Sequence, residues 1–355
     1  MSCVRIASVA CGALILLLVA CSTSAPAAKP ASAPGNTSAS APTTAPARAE
    51  APPATPAPPA KVTLCVPSRS DTILPGAAAE YGGYYKQHNI EANIQYFSGG
   101  LVDSALAAGQ CDFIFGAGGI GPLLQGLDVV VVAATVNFSP AEIWGRDPIQ
   151  TITDLKGRAL GTTGPGSLTW RTGRYYLQLN GLTPEEDVTV LSLGDSASTL
   201  GALLSGRIDA AVMFSPDTFV AKREGLHLVY KGSNIPMLNT ALVTTRRYLD
   251  ANREVVVNMV KAITDTLTRL KSDQTFYATV REQFTQQTVD PAQVPEYWQA
   301  ATEIYSIPPR GTHEGAVTAL SFYAETAGDQ NLDALARTWL DMSIVDQLYP
   351  PQASR

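Results

Sequence analysis

Residues 129–136 read Val-Val-Val-Val-Ala-Ala-Thr-Val, eight positions with one hydroxyl and no charge. β-Branched side chains crowd a helix and suit a pleated strand, and a strand without a polar face needs cover on both sides. That requirement is met in a sheet lying between helix layers, so this run points to an α/β fold. The pattern around it agrees. Strand-like runs at 62–66, 92–97 and 113–115 alternate with helical patterns at 76–88 and 101–108. A second round begins near Asp154, with strands expected at 158–163, 188–193 and 210–214 and helices at 168–179 and 197–204. Runs at 226–230 and 240–244 add two more strands. From Tyr248 the pattern turns helical over 253–271, 274–287, 293–304 and 313–328. Two parallel α/β rounds and a helical C-terminal segment predict two lobes, the second inserted within the first. The expected boundaries are 61–148 and 240–355 for the first lobe and 149–239 for the second.

The first sixty residues are of another kind. Arg5 precedes a short apolar run at 6–19, and Leu18-Val19-Ala20-Cys21 has the spacing of a lipoprotein cleavage box. Residues 1–20 are therefore expected to be a cleaved signal peptide, with Cys21 the lipid-carrying first residue of the mature chain. Residues 22–60 are almost wholly Ala, Pro, Ser and Thr, charged only at Lys29, Arg48 and Glu50. Such a stretch buries too little apolar surface to offset its ordering entropy, which makes 21–60 an extended, disordered tether.

The chain carries a formal charge of −6, and its first sixty residues hold more bases than acids, so the body is more acidic still. An acidic body with no basic run argues against nucleic acid and against anionic lipid as ligands. Of the five cysteines, Cys3 and Cys11 leave with the signal and Cys21 takes the lipid. Cys65 and Cys111 remain, in or beside expected strands, where buried free thiols are the first expectation and a disulfide is open in an oxidising compartment. His88, His227 and His313 are scattered, with no Cys/His pair at ligand spacing, so no metal and no cofactor are expected.

Three phrases resemble catalytic motifs and each lacks an essential part. Gly116-Ala117-Gly118-Gly119-Ile120-Gly121 matches G-x-G-x-x-G, but the next strand ends in Asn137 and Phe138 where a dinucleotide site needs an acid for the ribose. In Gly161-Thr162-Thr163-Gly164-Pro165-Gly166-Ser167, Ser167 stands where a phosphate loop needs lysine. What survives is a strand, a glycine turn and a helix start with Ser167 as N-cap, whose free amides suit an anion or a carbonyl. Gly194-Asp195-Ser196 resembles the nucleophile block of one class of lipases, which need His three residues after Asp. The residues three before the histidines are Tyr85, Glu224 and Arg310, and no G-x-S-x-G elbow occurs. Asp195-Ser196 reads more simply as a helix cap.

Taken in order, several phrases resemble the solute-binding proteins of nitrate, sulfonate and taurine ABC importers, with thiamin-pyrimidine-precursor binding relatives. They are Asp154-Leu155-Lys156-Gly157-Arg158, then Asn180-Gly181-Leu182 with Asp187-Val188, then Ala202-Leu203-Leu204-Ser205-Gly206-Arg207-Ile208-Asp209. In the first round, Phe97-Ser98-Gly99-Gly100 and Ala105-Leu106-Ala107-Ala108-Gly109-Gln110-Cys111-Asp112 echo them. The resemblance covers about 61–245. It implies a type II periplasmic-binding-protein-like fold, two α/β lobes joined by two crossing segments, with ligand in the cleft between them. It also implies an extracytoplasmic receptor, a monomer tethered to the bacterial membrane by its lipid, that hands a small solute to ABC permease subunits.

Ligands of open parallel sheets sit beyond the carboxyl ends of the strands. On this chain that rule selects Arg69, Ser70 and Asp71, then Gly99, then Gly118 and Gly119. In the second round it selects Thr163, Gly164 and Ser167, then Phe214 and Asp217. Trp144, expected just before the first crossing, could stack on a planar solute or serve as a core residue. Arg69 suits a sulfonate, carboxylate or other anion; Asp217 suits an amine or a pyrimidine-type heterocycle, and the two together a zwitterion. The alternatives are an enzyme of the same fold family, similar to thiamin-pyrimidine synthases but without their cysteine-rich phrase, and a surface lipoprotein without transport function.

Overall fold

The computed structural model describes residues 58–97, 101–323 and 327–351. The expected signal peptide, Cys21, the tether as far as residue 57, and Gly99 lie outside the described residues. Among the described residues no helix is long and apolar enough to cross a membrane.

The chain enters as β1 (Ala60–Val66), α1 (Leu74–Tyr81), α2 (Tyr84–Gln87), β2 (Ile90–Tyr96), α3 (Leu101–Ala107), β3 (Phe113–Gly116), α4 (Ile120–Leu124) and β4 (Val129–Phe138). It crosses to the second lobe and forms β5 (Glu142–Gly145), β6 (Ala159–Thr162), α5 (Leu168–Leu179), β7 (Thr189–Ser192), α6 (Ser196–Leu204), β8 (Ala210–Met213), α7 (Asp217–Arg223) and β9 (His227–Lys231). It then returns as β10 (Pro236–Thr245), followed by α8 (Arg246–Ala251), α9 (Arg253–Ser272), α10 (Gln274–Thr285), α11 (Val294–Ile304) and α12 (His313–Ser321). Helices Leu332–Trp339 and Ser343–Leu348 close the first lobe.

The two sheets share one plan. Their strand orders are β2-β1-β3-β10-β4 and β7-β6-β8-β5-β9. In each, three strands run parallel, and the fourth place is taken by the strand that has just arrived from the other lobe, antiparallel to both neighbours. The sequence reading of parallel layers expects β10 as a strand but not its antiparallel direction, and it misses β5 altogether. It also sets the boundaries late: β5 belongs to the second sheet although it precedes residue 148, and β10 begins ahead of residue 240. The crossings are 139–141 and 232–235. They lie side by side, with Ser139 N–H donating to the Ile235 carbonyl and Gly232 N–H to the Ala141 carbonyl, both at 3.2 Å.

The repeated helix–glycine–aspartate phrase acquires a physical reason. Gly109 and Gly206 hold φ of 70° and 76°, the left-handed turn that ends each helix and that glycine adopts without strain. The aspartates that follow then tie the start of a neighbouring strand. Asp112 accepts from Thr63 N–H at 2.8 Å and Asp209 from Ala159 N–H at 2.9 Å. Both aspartates donate their own amide back to the same residue.

The run at 129–136 is buried on both faces, as its composition requires. Val130 and Val132 face a core shared with α1, α9 and α10, while Val129 and Val131 face one shared with α3, α4 and α12. The second sheet is covered by α5 on one side and by α6 and α7 on the other. Ser167 and Asp195 cap α5 and α6 as expected, accepting from Trp170 N–H at 3.2 Å and Ser198 N–H at 2.7 Å.

Other expectations need correction. The helix expected over 76–88 is two, because Gly83 sits at φ 73° and breaks the chain direction. The expected helix 313–328 stops at Ser321. Short α4 and α7 carry no periodicity long enough to read. Cys65 and Cys111 are not free thiols: they form a disulfide with a Cα separation of 5.9 Å. Cys65 in β1 and Cys111, two residues before the adjacent β3, face the same core, which brings their sulfurs together.

Candidate functional site

A cleft of about 1260 Å³ runs between the lobes, lined by the loops at the carboxyl ends of β1, β3, β6 and β8 and by the crossings. Its floor is organised by Asp71, which is only 3% exposed. The loop that carries it is shaped by its own hydroxyls: Ser70 Oγ lies 3.0 Å from Ser68 Oγ and 2.9 Å from Thr72 Oγ1. Asp71 Oδ1 accepts from Arg281 Nε at 2.9 Å and from the Tyr277 hydroxyl at 3.1 Å, and its carbonyl accepts from the Tyr305 hydroxyl at 2.5 Å. Burial and the Asp71 charge push both phenols up, which keeps them protonated and donating. Burial would lower the Arg281 guanidinium; the Asp71 carboxylate, together with Tyr277 and Tyr297, more than offsets this and holds it above its ordinary value.

The second oxygen of Asp71 reaches the other lobe. Ser215, in the loop between β8 and α7, donates to Asp71 Oδ2 at 3.0 Å. Further contacts join the lobes around the rim. Lys222 Nζ lies 2.7 Å from Glu296, Arg171 Nη1 donates to the Phe322 carbonyl at 2.8 Å, and the Phe219 and Tyr297 rings lie 4.3 Å apart. The lobes therefore touch on both sides of the cleft.

Of the residues selected from sequence, Arg69, Ser70, Asp71, Gly118, Trp144, Thr163, Ser167, Phe214 and Asp217 face the cleft. They do not all offer free groups. Arg69 donates to the Phe284 carbonyl at 2.6 Å and lies 5.5 Å and 5.9 Å from the Tyr96 and Phe284 ring centroids. Trp144 sits in β5, after the first crossing and not before it, and donates its indole N–H to Glu142 at 2.8 Å. Gly119 and Gly164 are not among the residues facing the cleft. The Gly119 amide is taken by Asp103 at 2.6 Å, so the glycine turn after β3 is closed by a side chain of the same lobe. Burial pushes the Asp103 carboxyl up even though the Gly119 and Gly121 amides pull it down. A side chain at Gly118 would meet that carboxylate, which explains the glycine.

The turn from Thr163 to Ser167 is likewise mostly satisfied from within. The Thr163 amide donates to Thr169 Oγ1 at 3.0 Å, and the Ser167 amide to the Gly164 carbonyl at 3.1 Å. The first helical amides, Leu168 and Thr169, are left without an intrahelical acceptor. The turn is a capped helix start with little of the phosphate loop's open cradle. An added Cβ at Gly164 would meet nothing within 4 Å, whereas Gly166 holds φ 73° and faces the cleft.

Sequence reading missed Phe219, Lys222, Lys231 and Asn239, all of which line the cleft. Phe219 and Lys222 ride on the unread α7. Asn239 lies in β10, the strand entering from the second crossing, and its amide nitrogen is buried with no partner among the described residues. No group of three or more His, Cys, Asp or Glu among the described residues is placed to hold a metal ion. The histidines lie outside the cleft, each against an aspartate: His88 with Asp265, His227 with Asp147 and His313 with Asp333.

The family model described as NMT1/THI5 like matches residues 72–274, from the loop after β1 to the start of α10. The fold is the periplasmic binding protein fold. The chain is similar to the periplasmic aliphatic sulphonate binding protein SsuA from Escherichia coli, at 19% identity over 79% of this chain and 98% of that one, with a TM-score of 0.66. It is similar to the periplasmic nitrate-binding protein NrtA from Synechocystis PCC 6803, at 12% identity over 82% and 89% of the two chains, with a TM-score of 0.61. It is also similar to the desulfurization enzyme DSZB, at 14% identity over 81% and 98%, with a TM-score of 0.57. A search of the curated proteins finds no match to the sequence.

Proposed function

The chain belongs to the NMT1/THI5-like family, and on that premise we propose that it is an extracytoplasmic solute-binding receptor of an ABC importer. The observation that carries this reading is the cleft between two lobes joined only by paired crossings and clasped by Ser215 on Asp71. Solute enters when the clasp is open. Closure then buries solute against both lobes and presents them in one fixed relation to permease subunits. The solute classes in play are a small organic anion of the sulfonate, taurine or nitrate kind and a pyrimidine-type heterocycle. Residues 1–20 act as a lipoprotein signal peptide, Cys21 carries the lipid, and the tether ahead of β1 gives the body reach above the membrane. A Cys21→Ala chain that still took up labelled fatty acid would remove this anchor from the proposal.

The fold also serves an enzyme, DSZB, so catalysis is the second reading. Against it, the described residues facing the cleft include neither His nor Cys, which leaves no imidazole base or thiol nucleophile among them. A surface lipoprotein without transport is the third reading. Native mass spectrometry of protein purified without denaturation separates the three. The receptor reading expects an unmodified solute that is released on unfolding; turnover of that solute favours the enzyme, and failure to bind any small molecule favours the surface protein.

A further inference from the structure

The cleft wall is charged, and most of its charges are already matched. Lys222 is held by Glu296 at 2.7 Å, Lys231 by Glu142 at 3.7 Å, and Asp71 by Arg281 at 2.9 Å. Asp103 is held by backbone amides. Arg171 donates to the carbonyls of Gly166 and Phe322 and lies 4.1 Å from the Tyr323 ring centroid. Arg69, bound to the Phe284 carbonyl, is exposed and keeps much of its water.

Asp217 differs from all of these. The residue lines the cleft and is half-buried, and its carboxylate has no hydrogen-bond or ionic partner among the described residues. Burial alone pushes its carboxyl up. A charge that has lost water without gaining a partner is the group that gains most from a counter-ion. Phe214, whose carbonyl accepts the Asp217 amide at 3.0 Å, lines the same cleft, and so does Phe219, whose ring packs on Tyr297. Aromatic faces beside a carboxylate attract a cation with an apolar body and give a plain anion nothing.

We propose that Asp217 selects the solute, and that the solute carries a protonated nitrogen, an ammonium or amidinium, bound to this carboxylate in the cleft that Phe214 and Phe219 also line. This rests on the receptor reading and narrows its solute class away from simple anions such as nitrate.

Three probes of one size and different charge test it by calorimetry at pH 7: benzylamine, benzyl alcohol and benzoate. Benzylamine is expected to bind about tenfold or more tighter than benzyl alcohol, as a charge-assisted hydrogen bond requires, with benzoate weakest. In Asp217→Asn the advantage of benzylamine over benzyl alcohol should vanish, and in Asp217→Glu it should partly return. Benzoate binding tightest, no binding of benzylamine, or benzylamine binding equally to the Asn variant would each overturn the inference. Native mass spectrometry judges the receptor reading separately. A released solute without a basic nitrogen keeps the receptor and overturns the role of Asp217.

Discussion

Ser215 donates its hydroxyl to Asp71 across the cleft, joining residues 144 positions apart that sit in different lobes. The same carboxylate is the buried partner of Arg281, so the group that clasps the lobes also holds the floor of the first one together.

The two bonds should separate on mutation. Asp71→Ala leaves a buried guanidinium without its counter-charge, and we expect a loss of about 3–5 kcal/mol in urea unfolding. Ser215→Ala removes only the clasp, with a loss of about 1 kcal/mol. Its larger effect should be a shift toward an open shape, read as a greater radius of gyration by small-angle scattering. An unchanged scattering profile would show that Ser215 does not bias closure.

The disulfide spans 46 residues of sequence. Closing a loop of that size stabilises the folded chain by about 4 kcal/mol on the chain-entropy estimate. The Cys65→Ala/Cys111→Ala double variant is expected to lose stability on that scale by denaturant titration. Both cysteines are buried, so dithiothreitol should reduce the wild-type bond only as fast as the first lobe opens.

Asp217 supplies a pH dependence of defined sign. Burial raises its carboxyl in the folded chain above the ordinary value of 3.8, so the folded state holds this proton more tightly than the unfolded one. Its contribution is most favourable below pH 3.8 and declines as pH rises through the folded pKa. Asp217→Asn should therefore unfold at a higher urea concentration than wild type at pH 7, and the difference should close as the pH is brought below 3.8. A difference that grew toward low pH would reverse the sign and point to a hidden cation beside the carboxylate.

Gly232 lies in the second crossing, where an added Cβ would collide with the Tyr176 hydroxyl. That hydroxyl lies 2.5 Å from Ser139 Oγ in the first crossing. Gly232→Ala should push Tyr176 off Ser139 and destabilise the protein by about 1–3 kcal/mol, measured by urea unfolding. Because both crossings are involved, solute affinity should fall as well. The same substitution at Gly201, where an added Cβ has open space, is the control.

Local physics was legible in the sequence. The unbroken run at 129–136, the caps at Ser167 and Asp195, and the paired aspartates at 112 and 209 each act within a strand, a turn or a neighbouring pair. The long-range pairings were not. Nothing near Asp71 announces Arg281, Tyr277 or Tyr305, which reach it from α10 and from just past the end of α11, more than two hundred residues on. The glycine turn after β3 reads as an open cradle until Asp103 is seen to fill it. β5 is four residues long, and its antiparallel place follows from the route of the whole chain between lobes, which no local pattern encodes.

The plan of the sheets sets an order of assembly. The second lobe is one continuous stretch from β5 to β9, whereas the first sheet lacks its fourth strand until β10 arrives. The outer face of the first lobe waits longer still, for Trp339 and Val345 to be buried. A truncation anywhere after Lys231 thus spares every strand of the second sheet while leaving the first lobe unfinished. Loss of the last few dozen residues would expose β4, the edge strand of the first sheet, to solvent and to other chains. The helices after residue 331, which line no part of the solute cleft, are in this sense the part that guards the protein against aggregation.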